Sequence, residues 1–162
     1  MGLFIFNPDK LLVGKLSKRM CKPFDINNDK IIIEKNLKNL LNLKLLYSDY
    51  VNDNGDVLAD TIAIDNKTNT LYLIGYKKNS RDNFLKRYKK QYLSLEETKD
   101  IFLERVRLLS RKNDIYMYNF RAIFIASSFT PQEVNSSTTF PVSCDLYTWS
   151  YVNNIIIFKK KE

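Results

Sequence analysis

The sequence predicts an α/β or α+β domain, and the order of its elements is the main reason. A helical stretch precedes three strand-like runs, a long helical stretch follows them, and further strand-like runs come last. At 162 residues, one domain is expected to span residues 1–162 around one core. A hydrophobic fraction of 44%, with only 4 Gly and 4 Pro, excludes disordered and collagen-like classes.

The N-terminal part predicts two strands and a helix. Strands are expected at Leu3–Phe6 and at residues 10–16, on either side of the turn residues Asn7-Pro8-Asp9. Residues 29–41 are expected to form a helix, capped within residues 27–29, because apolar side chains recur there at helical spacing: Ile33, Leu37, Leu40 and Leu41.

The middle of the chain predicts an antiparallel meander followed by helix. Strands are expected at residues 43–51, 57–65 and 70–78, because turn-rich segments of hairpin length separate these runs. Residues 81–112 contain no Gly or Pro and favour helix, either as one long helix or as two consecutive ones.

The last part of the chain predicts a central strand and a final pair. Residues 119–126 form a dense apolar run, as in a strand buried on both faces. Residues 127–139 read as a loop with one short helical turn, with Pro131 at its first position. Strands are then expected at residues 146–152 and 154–160.

Composition excludes several chemistries. The chain has no histidine, so Ser-His-Asp triads, Cys-His pairs and His-ligated zinc are excluded. Any metal site would use oxygen ligands, which points to magnesium, manganese or calcium. Cys21 and Cys144 lack metal-like spacing and are expected to be reduced thiols. Without a membrane-spanning apolar run or a signal-like start, a cytoplasmic protein is expected.

One group of residues has the pattern of a metal-dependent site. Residues two apart in a strand point to the same face, so position 75 and Lys77 are expected to be neighbours. Asp60, in the strand beside them, can converge on the same place. Hydrolysis of a phosphodiester with magnesium needs at least two oxygen ligands and a cation near the attacking water.

These residues carry a resemblance to a known superfamily. A helix with Glu34, then Ala59-Asp60, then the strand residues 71–78 resemble the PD-(D/E)XK nuclease superfamily. More narrowly, the chain is similar to a bacterial family of small nuclease-like domains. Supporting patterns are Tyr92-Leu-Ser-Leu95, the run at residues 121–130, Asp145-Leu-Tyr-Thr-Trp149 and Asn154-Ile-Ile-Ile-Phe158. The resemblance implies a mixed central sheet flanked by helices, with a restriction-endonuclease-like core and extra N- and C-terminal strands.

The resemblance also implies roles for individual residues. Asp60 would be the first ligand of Mg²⁺, Glu34 a second acid near the metal, and Lys77 the lysine that handles the water. The family's second motif acid falls at position 75, where this chain has glycine. The usual glutamine of the following helix is also missing, and Tyr88 is nearest to its place. A substitute acid would come from Glu34, Asp65, Glu96 or Glu97, and Gly75→Glu is expected to restore metal binding.

A basic segment follows the candidate site. The net charge is +8, and most of the surplus lies between residues 77 and 90. Such a patch neutralises phosphates without regard to base sequence. We expect DNA to be the ligand and expect contacts from Lys78, Arg81, Lys86, Arg87, Lys89 and Lys90. The competing interpretation is a solvated helix face.

Three functions are compatible with these residues. The first is a nucleic-acid-binding protein with a nuclease-like fold and a degenerate metal site. The second is an active Mg²⁺-dependent DNA endonuclease that uses a substitute acid. The third is a catalytically inactive module for a protein partner or for homodimer formation. If the resemblance is correct, Asp60 and Lys77 lie on one face of one sheet in all three cases.

Overall fold

A computed structural model describes residues 3–6, 26–152 and 155–162. The strands are β1 (Leu3–Phe6), β2 (Lys44–Val51), β3 (Val57–Asp65), β4 (Thr70–Tyr76), β5 (Phe120–Ala126), β6 (Cys144–Val152) and β7 (Ile155–Lys160). The helices are α1 (Ile26–Lys35), α2 (Leu37–Leu41), α3 (Phe84–Glu97), α4 (Lys99–Ser110) and α5 (Pro131–Ser137), with a 3-10 helix at Met117–Asn119. The strand expected at residues 10–16, Cys21 and the turn near residues 153–154 lie outside the described residues.

The seven strands of the described residues form one mixed sheet in the order β1-β7-β6-β5-β4-β3-β2. The strands β4, β5 and β6 run parallel, and the remaining neighbours pair antiparallel. The β2-β3-β4 meander and the central position of β5 are therefore confirmed. The predicted class, an α/β domain with a mixed central sheet flanked by helices, is also confirmed.

The helices form two layers because each face of the sheet is apolar. On one face, α3 and α4 contribute Phe84, Tyr88 and Phe102 to a buried core, and the partly buried Val134 of α5 packs against it. On the other face, α1 and α2 pack against a second core around Ile33, Leu37, Tyr76, Trp149 and Phe158. None of the helices described here has the length and apolar composition needed to cross a bilayer.

One helical prediction needs a correction, and one open alternative is resolved. The helix expected at residues 29–41 begins at Ile26 and breaks at Asn36, whereas residues 81–112 take the second of the two expected forms, two consecutive helices that break at Thr98. At each break a polar side chain bonds the carbonyl four residues earlier, with Asn36 Nδ2 to Ile32 O at 2.8 Å and Thr98 Oγ1 to Ser94 O at 2.9 Å. Such bonds compete with the helical ladder, which accounts for the breaks.

Strand ends and one apolar stripe also differ from expectation. The strand β4 ends at Tyr76 rather than at residue 78, and β6 begins at Cys144 rather than at residue 146. The spacing of Ile101, Phe102, Val106 and Leu109 predicts one buried stripe, but Ile101 and Leu109 are each 48% exposed in α4, whereas Leu103 is buried. Pro131 begins α5, as predicted.

Candidate functional site

Strand register places Asp60 and Gly75 opposite each other. Thr61 pairs with Ile74, so the next antiparallel pair outward joins positions 60 and 75. Alternation directs both toward the layer that holds α3, α4 and α5. Lys77 lies two residues beyond Gly75 and contacts α5 on that same layer. Asp60 and Lys77 therefore share one face of one sheet.

Tyr88 of α3 occupies the space beside Gly75. A Cβ atom at position 75 would lie 2.5 Å from Cζ and 2.6 Å from Cε2 of the Tyr88 ring. The Tyr88 hydroxyl donates a hydrogen bond to Oδ2 of Asp60 and accepts one of 2.7 Å from the Tyr76 backbone N–H. The absence of a side chain at position 75 thus lets a tyrosine reach the aspartate.

Burial keeps this tyrosine protonated. Desolvation raises the pKa of Tyr88 far above its usual value, and the nearby charge of Asp60 raises that pKa further. Because the phenol holds its proton at neutral pH, it acts as a donor to the Asp60 carboxylate. The side chain of Tyr88 is fully buried, so water does not compete for this bond.

Lys77 is turned toward α5. Its Nζ lies 2.8 Å from Oε1 of Glu133 and 2.9 Å from Oε2, and it also bonds the Ser128 carbonyl at 3.4 Å. Glu133 also accepts a hydrogen bond from the Thr130 N–H at 2.7 Å, as part of the capping box of α5. Burial acts to raise the pKa of Glu133, but the Lys77 and Thr130 bonds outweigh it and lower that pKa.

Glu34 approaches the same strands from the opposite face. Its Oε1 accepts a bond of 2.6 Å from Thr61 Oγ1, which lies 3.0 Å from the Tyr76 hydroxyl. Its Oε2 accepts a bond of 2.9 Å from Ser48 Oγ. Because Thr61 follows Asp60 along β3, the two acids lie on opposite faces of that strand.

A cleft of about 710 Å³ beside Asp60 is lined by several of the residues that the sequence predicts for the site. Its charged lining consists of Lys30, Glu34, Asp49, Asp60, Lys78 and Arg87. Asp60 and Glu34 therefore border a common cleft, while the Lys77 ammonium group is paired with α5. In the part of the chain that the structure describes, no three His, Cys, Asp or Glu side chains form a metal-binding group.

The residues around Asp60 do not fit the magnesium site that the resemblance implies. The second acid is absent, and a side chain at position 75 would collide with Tyr88. Of the possible substitutes, Asp65 lies about 16 Å along β3 and on its other face. Glu96 lies about 12 Å along α3 from Tyr88, and Glu97 lies one residue further. Gly75→Glu alone therefore lacks room, and magnesium binding stays a prediction.

The basic segment separates into one structural residue and a group of free cations. Arg87 bonds Asp82 and the Tyr76 carbonyl (3.0 Å), and its guanidinium carbon lies 4.8 Å from the centre of the Tyr88 ring. The other five side chains are exposed and, among the described residues, make no ion pair: Lys78, Arg81, Lys86, Lys89 and Lys90. We call these five residues the basic face.

The sequence did not predict which side chains bond to Asp60 and Lys77. A glycine inside an apolar strand is a general signal of close approach by another group, and here that group is Tyr88. The capping box Thr130-x-x-Glu133 is visible in the sequence, but its second role, the ion pair with Lys77, depends on tertiary contacts.

Comparison with known proteins gave one structural likeness. No protein-family model matches the sequence, and no curated protein matches it. A solved structure of Pyrococcus furiosus SfsA in complex with Ca²⁺ aligns with 12% sequence identity and a TM-score of 0.45. The alignment covers 84% of this chain and 63% of the SfsA chain, which is less than two thirds of that protein.

Proposed function

We propose that this protein binds nucleic acid through the basic face. Its second feature in this proposal is a degenerate PD-(D/E)XK-like site, in which the Tyr88 hydroxyl, and not a metal ion, is bonded to Asp60. The single observation that carries this proposal is the Tyr88 ring on Gly75, with its hydroxyl bonded to Asp60. The order of Glu34 on α1, Asp60 on β3 and Lys77 after β4 supports the superfamily resemblance.

The chemistry around Asp60 favours binding without cleavage. Metal-assisted hydrolysis of a phosphodiester needs carboxylates that hold the cation beside the attacking water. Here Asp60 accepts a hydrogen bond from the protonated Tyr88 phenol, and Lys77 is neutralised by Glu133. One Asp60 oxygen and the Lys77 ammonium group, which the resemblance assigns to the metal site, are thus already bonded within the protein.

The basic face supplies the affinity in this proposal. Lys86, Lys89 and Lys90 recur at positions i, i+3 and i+4 of α3, which places them on one side of the helix. Lys78 and Arg81 lie in the segment that leads into that helix. Cations that neutralise phosphates release counterions from the nucleic acid, which gives binding that weakens steeply with salt.

The test is a gel-shift titration of duplex DNA at several salt concentrations, with Mg²⁺ or with EDTA. Lys86→Glu/Lys89→Glu is expected to weaken binding at least tenfold and to reduce the salt slope by about two, since each phosphate contact contributes about one. Lys35→Glu/Lys38→Glu is the matched control, because it changes the net charge equally from the other helix layer. EDTA is expected to change nothing.

The outcomes separate the three candidate functions. Equal loss in both double variants would mean that net charge, and not the basic face, accounts for binding. If the wild type cuts plasmid DNA with Mg²⁺ and Asp60→Ala does not, the protein is an active nuclease. That result would overturn the proposal that it binds nucleic acid without cleaving it. If the wild type does not bind, yet forms a stable dimer, the nucleic-acid proposal fails and the interaction module is favoured.

A further inference from the structure

Two stacked tyrosines lie on the surface between α4 and β5, away from Asp60. The rings of Tyr116 and Tyr118 are nearly parallel, with an angle of 12° and a centroid distance of 5.3 Å. Tyr118 is 86% exposed and Tyr116 is 43% exposed. Most of the other aromatic rings in the described part of the chain are buried, whereas this exposed pair contributes little to the core.

The pair is held in place by its surroundings. The Arg107 guanidinium carbon lies 5.4 Å from the centre of the Tyr116 ring, and that guanidinium donates bonds of 3.2 Å and 2.7 Å to the Ile115 carbonyl. The Asn119 backbone N–H bonds the Tyr116 carbonyl at 3.1 Å, and its side chain bonds the Thr68 carbonyl at 3.0 Å. The rings are thus ordered before any ligand arrives, which lowers the entropic cost of binding.

The charge around the pair favours an anionic ligand. Residues 107–118 contain three cations, Arg107, Arg111 and Lys112, against one acid, Asp114. Asp114 is engaged by the Asn69 amide at 2.5 Å, while Arg111 is exposed and, within the described residues, has no ion pair. The surroundings of the two rings therefore carry a positive surplus.

The helix α3 runs from the basic face toward the end of the sheet that carries this pair, and the exposed charged residues of its last turn are Glu96 and Glu97. Tyr92, in the second half of α3, packs on Phe120 at a centroid distance of 5.5 Å. Phe120 directly follows the 3-10 helix that contains Tyr118. The helix α3 thus connects the cations near its start with the end of the sheet that presents the two rings.

We propose that Tyr118, stacked on Tyr116, is a platform for an unpaired base of a single-stranded nucleic acid. Every base offers a flat π face, so stacking on an aromatic ring tolerates any sequence. Bases inside a duplex are already stacked on each other and are not available to the platform. The inference rests on the proposed nucleic-acid binding and adds a preference for single strands to it.

The test is fluorescence anisotropy with a labelled 20-nucleotide oligodeoxythymidine, an oligouridine of that length and a 20-base-pair duplex. Tyr118→Leu is expected to weaken single-strand binding about five- to a hundredfold and to leave duplex binding unchanged. Tyr118→Phe keeps the π face and is expected to bind like the wild type. Leu108→Ala is the control, because Leu108 is also exposed (73%) and lies nearby in sequence.

Each outcome has a separate meaning. If Tyr118→Leu binds single strands like the wild type while the duplex still binds, the platform is wrong and the proposed function stands. If the wild type binds neither strand form, the proposed function itself fails. A loss confined to self-association in sedimentation, with oligonucleotide binding unchanged, would make the pair a protein contact and overturn the platform. Comparison of the two single strands distinguishes DNA from RNA.

Discussion

Residues 75–90 contain two sets of polar side chains that differ in burial and in partners. The buried and half-buried set makes specific bonds within the protein: Tyr76, Lys77, Asp82, Arg87 and Tyr88. The exposed set, the basic face, makes no ion pair among the described residues. Sequence position does not separate the sets, since Lys86 and Arg87 are adjacent and belong to different ones.

The difference separates stability from binding. A buried polar group must be paired, because leaving it without a partner costs about 1–3 kcal/mol. An exposed lysine is satisfied by water and remains available to a phosphate. Substitutions in the buried set are therefore expected to lower the free energy of unfolding, and substitutions in the basic face to change affinity alone. The predictions below test that division.

The largest expected effect is at Tyr88. Tyr88→Ala removes a fully buried ring and is expected to lower the free energy of unfolding by about 3–5 kcal/mol. Tyr88→Phe keeps the ring but leaves Asp60 and the Tyr76 N–H without the hydroxyl, at a cost of about 1–3 kcal/mol. Urea titration measures both. Lys89→Ala, one position along α3, is the control and is expected to stay within about 0.5 kcal/mol of the wild type.

The second effect is at Gly75 and depends on Tyr88. Gly75→Ala places a methyl group against the ring and is expected to destabilise by about 1–3 kcal/mol. In the Tyr88→Ala background the ring is gone, so the same methyl group is expected to cost little or to fill the cavity. A double-mutant cycle by urea unfolding measures this coupling. Equal costs in both backgrounds would show that backbone freedom, and not the ring, requires glycine.

The fold was predictable from sequence where local patterns are strong. The apolar runs of β3 and β5 and the polar turns between hairpin strands predicted the meander and the central strand. The break at Asn36 was not predicted, and the sequence left open whether residues 81–112 form one helix or two, because both breaks depend on single side-chain bonds to the helix backbone. Neither residue is a Gly or a Pro, so the sequence has no strong breaker signal there.

The candidate site was only partly predictable. Strand alternation correctly placed Asp60 and Lys77 on one face. It did not indicate that Tyr88 would reach Asp60 or that Glu133 would pair with Lys77, since both contacts join elements that are distant in the chain. The exposure of Lys86 and the partial burial of Arg87 follow from their positions around the α3 axis, which the apolar stripe of that helix predicts in outline.

The smallest expected effect tests the ion pair of Lys77 through pH. Glu133→Gln keeps the capping box of α5 but removes the charge, and is expected to cost about 1 kcal/mol at pH 7. The pKa of Glu133 is lowered in the folded state, so its stabilising effect is complete above the unfolded pKa of about 4.3 and disappears as pH falls through the folded value. The free energies of unfolding of the wild type and Glu133→Gln should therefore differ at pH 6–8 and approach each other as the pH falls below about 4.3.

Glu104→Gln is the matched control for that comparison, because Glu104 is exposed on α4 and has no ion pair in the described part of the chain. The free energy of unfolding of Glu104→Gln is expected to stay close to that of the wild type across the pH range tested. If the gap for Glu133→Gln persists unchanged down to pH 3, its cost comes from packing rather than from charge. The ion pair with Glu133 would then not be what stabilises the buried Lys77. The proposed division of residues 75–90 into paired and free cations would therefore be wrong for Lys77.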